Sequence, residues 1–379
     1  MALVLTEEQE LLRDSAREFV AKQWDFNWLR KVRGDTDSVG YDPDVWKQMV
    51  ELGWAAIPFE ESVGGLDLGY ADLGVVLEEM GRKLLVSPFL STVVLGGGSI
   101  QLAGTEEQKK AILPGVCDGS TLLSLAYQET SRHDPYQVST EAVPDGQDYV
   151  LAGSKKLVLD AGSADYFIVL ARTAGKPGDR AGLTLFLVES GTPGLSVSKG
   201  LLLDSRSASH LTFAGVRVPS SSIVGSLDEA ADVLDEVLSR AAVAASAEML
   251  GGAQDAFDRT LEYLKEREQF DAKIGSFQGL KHRAARWFCE VELMRSIVMD
   301  SLRAIDEERD TARELSHVCK ARASDTYLLS GKEGIQMHGG IGVTDEYDIG
   351  FYLKRARVSE LLFGDAIYHR DQYASAKGF

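Results

Sequence analysis

Apolar residues recur at spacings of three to five through the first third of the chain. Leu11, Ala16, Phe19 and Val20 stand among charges from Leu5 onward, which is the period of helices that bury one face. The loop Ser62–Gly69 (SVGGLDLG) interrupts the pattern with Gly64 and Gly65, and a further helix is expected over Ala71–Gly81. Thr105 followed by Glu106, Glu107 and Gln108 reads as an N-cap with acidic residues in the first turn; that helix is expected to stop before Pro114. From about Ser120 to Val224 the period shortens. The runs TLLSLAYQ, YVLAG, DYFIVLART, LTLFLVES, LSVSKG and LTFAGVRVP, divided by Gly, Pro and Asp, read as the strands of a β domain. From Asp228 helices return. Val237, Leu238, Ala241, Ala245 and Met249 mark one apolar face, and Leu261, Tyr263, Leu264, Trp287, Phe288, Leu293 and Val298 continue it. Helices, strands, helices in that order predict an α+β fold with segregated elements rather than alternating βαβ units. The expected domains are an N-terminal helical domain (1–119), a middle β domain (120–225) and a C-terminal helical domain (226–379). No internal repeat or low-complexity segment breaks this order.

Charge and cysteine usage narrow the class. The 379 residues carry a net charge of -18, which disfavours nucleic acid and anionic membrane surfaces as partners but leaves room for a local basic site that holds a phosphorylated ligand. Cys117, Cys289 and Cys319 form no CxxC pair and fit reduced thiols better than a disulfide framework. The opening MALVLTEEQELLRD turns acidic within a few residues, unlike a signal or transit peptide, and no run approaches the ~18 apolar residues of a membrane span. A cytoplasmic protein is expected.

Common catalytic signatures are absent: no GxxxxGK[ST], no HExxH, no GxSxG. Gly96–Gly98 is a glycine run without dinucleotide-binding spacing, and the six histidines show no metal-ligand spacing. Two segments stand out. In YLKEREQFDAKIGSFQ (Tyr263–Gln278), Arg267 has the fork that clamps a pyrophosphate and Phe270 can cover a ring system, with Gln278 at the start of the next helix. Taken singly, they read as a surface arginine and a core phenylalanine. In QMHGGIGVT (Gln336–Thr344), Gly339 and Gly340 would let backbone N–H groups approach a phosphate or ribityl chain, or simply end a helix.

With their order and separation, the two segments resemble the C-terminal signatures of the acyl-CoA dehydrogenase family. The resemblance extends over nearly the whole chain. Leu5–Phe19 is similar to the family's opening helix, Leu52–Gly69 (LGWAAIPFEESVGGLDLG) to its first loop, and Gly104–Gly119 (GTEEQKKAILPGVCDG) to the segment leading into its β domain. The resemblance implies the family fold: an N-terminal helical domain, a middle β-barrel-like domain and a C-terminal four-helix bundle. It also implies FAD as cofactor, an acyl-CoA substrate and an electron-transfer flavoprotein as acceptor. In the family the flavin takes a hydride from Cβ of the thioester while a carboxylate removes the Cα proton.

The sequence departs from the family at the base. The usual Glu-Gly pair downstream of QxxGG is Phe363-Gly364 here, and the alternative glutamate position, before an arginine on the first long C-terminal helix, is Ser239 before Arg240. Neither side chain can take a proton from carbon, so no catalytic residue is assigned. The family's Thr-Glu-Pro and Gly-Ser contacts read Gln128-Glu129-Thr130 and then SRHDP, and its Trp-Ile-Thr beside the flavin reads Leu157-Val158-Leu159. The family's Arg/Phe pair and QxxGG loop reach across the dimer to a neighbour's FAD, and that set (Arg267, Phe270, Gln278, Gln336, Gly339 and Gly340) is kept. Retained residues for a neighbour's flavin and lost residues for its own resemble the non-catalytic subunit of heteromeric acyl-CoA dehydrogenases of actinobacterial type, which act on steroid-CoA or other bulky thioesters. The expected assembly is a heterotetramer with a homologous glutamate-bearing subunit. Two alternatives stand beside it: a homo-oligomeric dehydrogenase with Asp365 or Glu360 as a relocated base, and a non-redox acyl-CoA-binding scaffold. The basic clusters Lys281–Arg286 and Lys354–Arg357 are phosphate contacts or solvated faces.

Overall fold

The computed structural model describes residues 4–33, 35 and 39–379. Met1–Leu3, part of the opening segment read above for targeting signals, lie outside them. In chain order the elements are α1 (Glu7–Gln23), α2 (Phe26–Val32), α3 (Pro43–Glu51), α4 (Tyr70–Arg82), a π-helix (Leu90–Gly97), α5 (Gly98–Ala103) and α6 (Glu106–Cys117). Strands follow: β1 (Leu123–Ala126), β2 (Glu141–Asp145), β3 (Asp148–Leu159), β4 (Tyr166–Arg172), β5 (Leu183–Glu189), β6 (Leu195–Ser198), β7 (Ala208–Pro219) and β8 (Ile223–Val224). Then come α7 (Ala230–Glu266), the hairpin β9 (Glu268–Gln269) and β10 (Ala272–Lys273), α8 (Gln278–Asp306), α9 (Ala312–His338), α10 (Ile349–Leu361) and α11 (Ala366–Ala376). No helix among the described residues is long and apolar enough to cross a membrane.

These elements form two compact units built from interleaved segments. The first comprises Met1–Arg30, Tyr70–Leu85 and Ala242–Phe379. Its opening helix is started by Thr6, whose hydroxyl accepts from the Gln9 amide while the Gln9 side chain accepts from the Thr6 amide. Helices α4 and α7 cross closely, because a Cβ at Gly81 would meet the Glu248 carbonyl oxygen at 1.9 Å and one at Gly251 the Glu78 carbonyl oxygen at 1.8 Å. A buried ion pair, Arg355–Glu248 at 2.8 Å, lies in the same region, with Arg355 also donating to the Leu84 carbonyl. On α8, Trp287, Val291, Met294 and Val298 are buried. Leu11, Phe288 and Leu293, read above as part of buried faces, are instead exposed by 72%, 49% and 51%. Each lies on the solvent side of a helix whose opposite side already fills the core.

The second unit comprises Lys31–Gly69 and Val86–Ala241. One sheet runs β6-β7-β3-β2-β4-β5-β8, with β1 parallel to β4. Its core includes Leu151, Phe167, Val169, Phe186, Leu211 and Phe213. Two strands were absent from the sequence pattern. β2 buries only Ala142 and carries Pro144, so it shows no alternation; β8 is two residues long. Thr105 caps α6 as expected, with a reciprocal Gln108 bond. The stop before Pro114 does not occur: α6 continues to Cys117, because Leu113, Val116 and Cys117 are buried on its inner face and that burial outweighs the single backbone bond the ring removes. The glycine run serves packing. A Cβ at Gly96 would meet Leu123 of β1 at 2.3 Å, and one at Gly97 the Phe59 ring at 2.5 Å.

Candidate functional site

The two signature segments lie at one end of the long helices of the first unit. Tyr263 is on the last turns of α7, and Arg267 directly follows that helix. Arg267 is exposed, and its guanidinium makes no hydrogen bond or ion pair with any described residue, whereas Arg259, Arg283 and Arg295 on the neighbouring helices are each paired with a carboxylate. The hairpin that follows is fixed by its own chain: Lys273 pairs with Glu268 at 2.7 Å and donates to the Glu266 carbonyl. Phe270 and Asp271 form its turn with φ of 56° and 57°. A left-handed phenylalanine is strained, and this one is 88% exposed, touching only the edge of Phe277 at a centroid distance of 6.2 Å. The expectation of a core phenylalanine is therefore overturned. Among the described residues, Phe277 is the one ring it meets.

Gln278 is the first residue of α8 and is exposed. The helix has no side-chain N-cap and no acidic residue in its first turn, so its free N–H groups and positive dipole end face outward. Of the basic cluster after it, Arg283 pairs with Glu333, while Lys281 and Arg286 are exposed. The second basic cluster is used within the fold: Lys354 meets Asp345, Arg355 meets Glu248 and Arg357 meets Glu360.

At the end of α9 each residue of the glycine loop has its own reason. Gly339 has φ 64° and ψ −139°, a region essentially restricted to glycine. A Cβ at Gly342 would meet the Ile335 carbonyl oxygen at 2.6 Å and the His338 Cβ at 2.9 Å. Gly340 has no positive φ and nothing within 4 Å of an added Cβ. The chain does not need glycine at 340; an outside group approaching the backbone closely would. Gln336 is exposed on the same turn. This surface fits a phosphate-bearing cofactor: an unpaired guanidinium, uncapped helix amides and an open glycine backbone.

The positions that would serve the chain's own flavin do not fit. Phe363 is buried with φ 60°, and Gly364 follows at 101°. This turn is held by its carbonyls: His369 Nε2 donates to Phe363 at 3.0 Å, and the buried Lys320 donates to Gly364 at 2.9 Å and to Glu360 at 3.1 Å. Burial lowers the Lys320 ammonium to about 7. Asp365 accepts from the Tyr368 amide at 2.8 Å and caps α11, and Glu360 is paired with Arg357. In the second unit, Glu129 is bound to the buried Lys155 at 2.7 Å and accepts from the amides of Ser139 and Thr140. Leu157 occupies a β-bulge with φ 53°, and Val158 and Leu159 are buried and carry no hydroxyl.

Beside that bulge lies a group the sequence did not single out. Asp160 is buried, and burial raises its carboxyl to about 7. Ser91 Oγ is 2.6 Å from Asp160 and 3.0 Å from the Pro88 carbonyl. A hydroxyl has one proton. Donating it to Pro88 leaves the Asp160 contact satisfied only if Asp160 is protonated. Because the folded state binds this proton more tightly than the unfolded chain, whose carboxyl titrates near 3.8, the stability it supports is complete below that value and is lost as pH rises through 7. D160N, a permanent donor, is expected to stabilise the protein by about 1–3 kcal/mol at pH 8 and to change little at pH 4. Denaturant titration at the two pH values checks this, and an equal effect at both would refute the protonated assignment.

Residues 6–120, 128–216 and 231–377 match, in that order, the N-terminal, middle and C-terminal domains of acyl-CoA dehydrogenases. Together with its helical, β and helical parts, this places the protein in the class of FAD-dependent oxidoreductases acting on CH–CH bonds. The chain belongs to the acyl-CoA dehydrogenase family. It is 29% identical over 378 residues to the acryloyl-CoA reductase (NADH) of Anaerotignum propionicum, covering 98% of this chain and 94% of that protein. It is 28% identical over 370 residues to the mitochondrial isobutyryl-CoA dehydrogenase of Dictyostelium discoideum, covering 96% and 88%. Among solved structures, butyryl-CoA dehydrogenase of Megasphaera elsdenii matches with a TM-score of 0.92 at 25% identity over 99% of both chains. A variant of the Tcur3481–Tcur3483 steroid ACAD matches at 0.87 and 31% over 98% of both.

Proposed function

We propose that this chain is the subunit without a catalytic base in a heteromeric acyl-CoA dehydrogenase, and that it completes the FAD site of a homologous, glutamate-bearing partner. One observation carries the reading. Arg267, Phe270, Gln278, Gln336 and Gly340 are exposed, no described residue pairs with the Arg267 guanidinium and nothing described needs glycine at 340, while the position of the family's base holds the buried Phe363. Arg267 and the α8 N-terminus with Gln278 would hold the phosphates, Gln336, Gly339 and Gly340 would receive the chain of the cofactor against bare backbone, and Phe270 would cover it from solvent. FAD, when bound, would supply the acceptor for the hydride of the acyl Cβ. The Cα proton would go to the partner's carboxylate, since the position of the family's base here holds Phe363. The similarity to a steroid ACAD supports a bulky acyl-CoA thioester as substrate, with an electron-transfer flavoprotein as the acceptor.

The test is flavin content and acyl-CoA oxidation by the chain alone and after co-expression with a homologue encoded beside it. The expected result is no flavin alone, and about one FAD per pair with activity together. One FAD per chain with activity of the lone protein overturns the proposal. Asp365 gives a separate check. As a helix cap, D365A should cost about 1 kcal/mol of stability and leave the rate of the assembled pair unchanged; loss of that rate at unchanged stability would make Asp365 a base.

A further inference from the structure

His338 is the last residue of α9, immediately before the glycine loop. Its ring is 2% exposed. It stacks on Tyr263 with centroids 4.4 Å apart at 27°, and Tyr347 leans on it at 4.9 Å. Nδ1 lies 2.7 Å from the Gly334 carbonyl. A carbonyl only accepts, so Nδ1 carries the proton. Nε2 is buried and has no hydrogen-bond partner among the described residues. Burial, with help from nearby Arg259, holds the imidazole below its ordinary range, in keeping with a neutral ring. The backbone is tied as well: the Tyr263 hydroxyl donates to the His338 carbonyl at 3.3 Å. Gly342, two residues past Gly340, folds back so closely that a Cβ there would strike His338 Cβ.

Tyr263 stands one helical turn before Arg267. The stack therefore joins the segment that carries the free guanidinium to the loop that carries the open glycine. The Arg267 guanidinium has no partner among the described residues and nothing described packs over Gly340, so their relative placement rests on the helix ends behind them. We propose that His338, clasped by Tyr263, is a positioning residue that holds Arg267 and the Gly339–Gly340 backbone in register for a diphosphate-bearing cofactor. The inference rests on the proposed function. It explains why an imidazole with an unsatisfied nitrogen is kept in a dry site: a flat ring that can both stack and donate along the helix axis fits there, and no aliphatic residue does both.

The test uses the co-expressed pair, stripped of flavin and titrated with FAD, with the melting temperature of the flavin-free pair measured alongside. H338F keeps a flat ring and loses the bond to Gly334. It is expected to melt within about 3 °C of the wild type and to raise the FAD Kd about tenfold. H338Q restores a donor for the Gly334 carbonyl and should recover most of that loss. Y263F keeps its ring, removes only the bond to the His338 carbonyl, and should raise Kd about threefold; it serves if H338F fails to assemble. Wild-type Kd in both H338F and Y263F, or a loss of FAD affinity that only tracks the loss of melting temperature, overturns the positioning role. A wild-type pair that binds no FAD overturns the reading of the subunit itself, and the two failures are thus told apart.

Discussion

R267A in the assembled pair is expected to lose its flavin. The guanidinium of Arg267 has no partner among the described residues, so the effect of its removal should fall on what it binds. One charge-assisted bond to a phosphate contributes about 1.5–3 kcal/mol, which corresponds to at least a roughly 10- to 150-fold rise in the FAD Kd. R267K should recover little, because an ammonium cannot make the planar fork. The measurement is FAD titration of the stripped pair, with the unfolding midpoint of this chain as control. An unchanged Kd would remove Arg267 from the site, and an equal drop in the midpoint would make it a structural residue.

The second large effect is on stability. Lys155 is fully buried and its charge is answered by Glu129 at 2.7 Å and by the Tyr127 carbonyl at 3.2 Å. Burial pulls the ammonium down to about 8, against the opposing pull of Glu129. Burial alone would raise the Glu129 carboxyl, but the Lys155 charge and the Ser139 and Thr140 amides bring it below its ordinary value. E129Q leaves a buried cation without a counter-charge and should cost about 3–5 kcal/mol. The loss should ease as pH rises toward the ordinary lysine value of 10.5, since the unpaired Lys155 is then neutral in the folded state at little cost. The double change E129Q/K155M removes the buried cation and keeps an acceptor for the Ser139 and Thr140 amides, so it should recover most of the loss. Denaturant unfolding of all three settles the point; an E129Q midpoint equal to the wild type would mean that water reaches Lys155.

This pair also shows how far the sequence could be read. Gln128-Glu129-Thr130 was legible as a departure from the family's flavin contact, but the use of Glu129 as an internal anchor was not, because its partner lies 26 residues away across the sheet. The helix–strand–helix order was plain, since the hydrophobic period changes from 3.6 to 2 and back. β2 was hidden by exposure and Pro144, and the run of α6 through Pro114 was hidden because burial at its end cannot be seen in local preference. The two signature segments were visible as motifs. That Phe270 projects into solvent at positive φ, and that His338 is stacked 75 residues away on Tyr263, depends on packing. His338 was in plain view inside QMHGGIG; a histidine directly before a strained glycine was the available signal.

The interleaving of the two units sets an order of events at the ribosome. Residues 31–69 and 86–241 complete the second unit while the later helices are still to be made. The opening helix, with Ala16 and Val20 ready for burial, belongs to a unit whose main part begins only at Ala242. It packs on α4, made soon after it, and at ordinary synthesis rates that pair waits roughly ten seconds or more for α8, which packs on α4. A nascent chain stalled near residue 240 should therefore carry a protease-resistant centre and an exposed apolar face on the α1–α4 pair, which makes that pair the natural landing place for a chaperone.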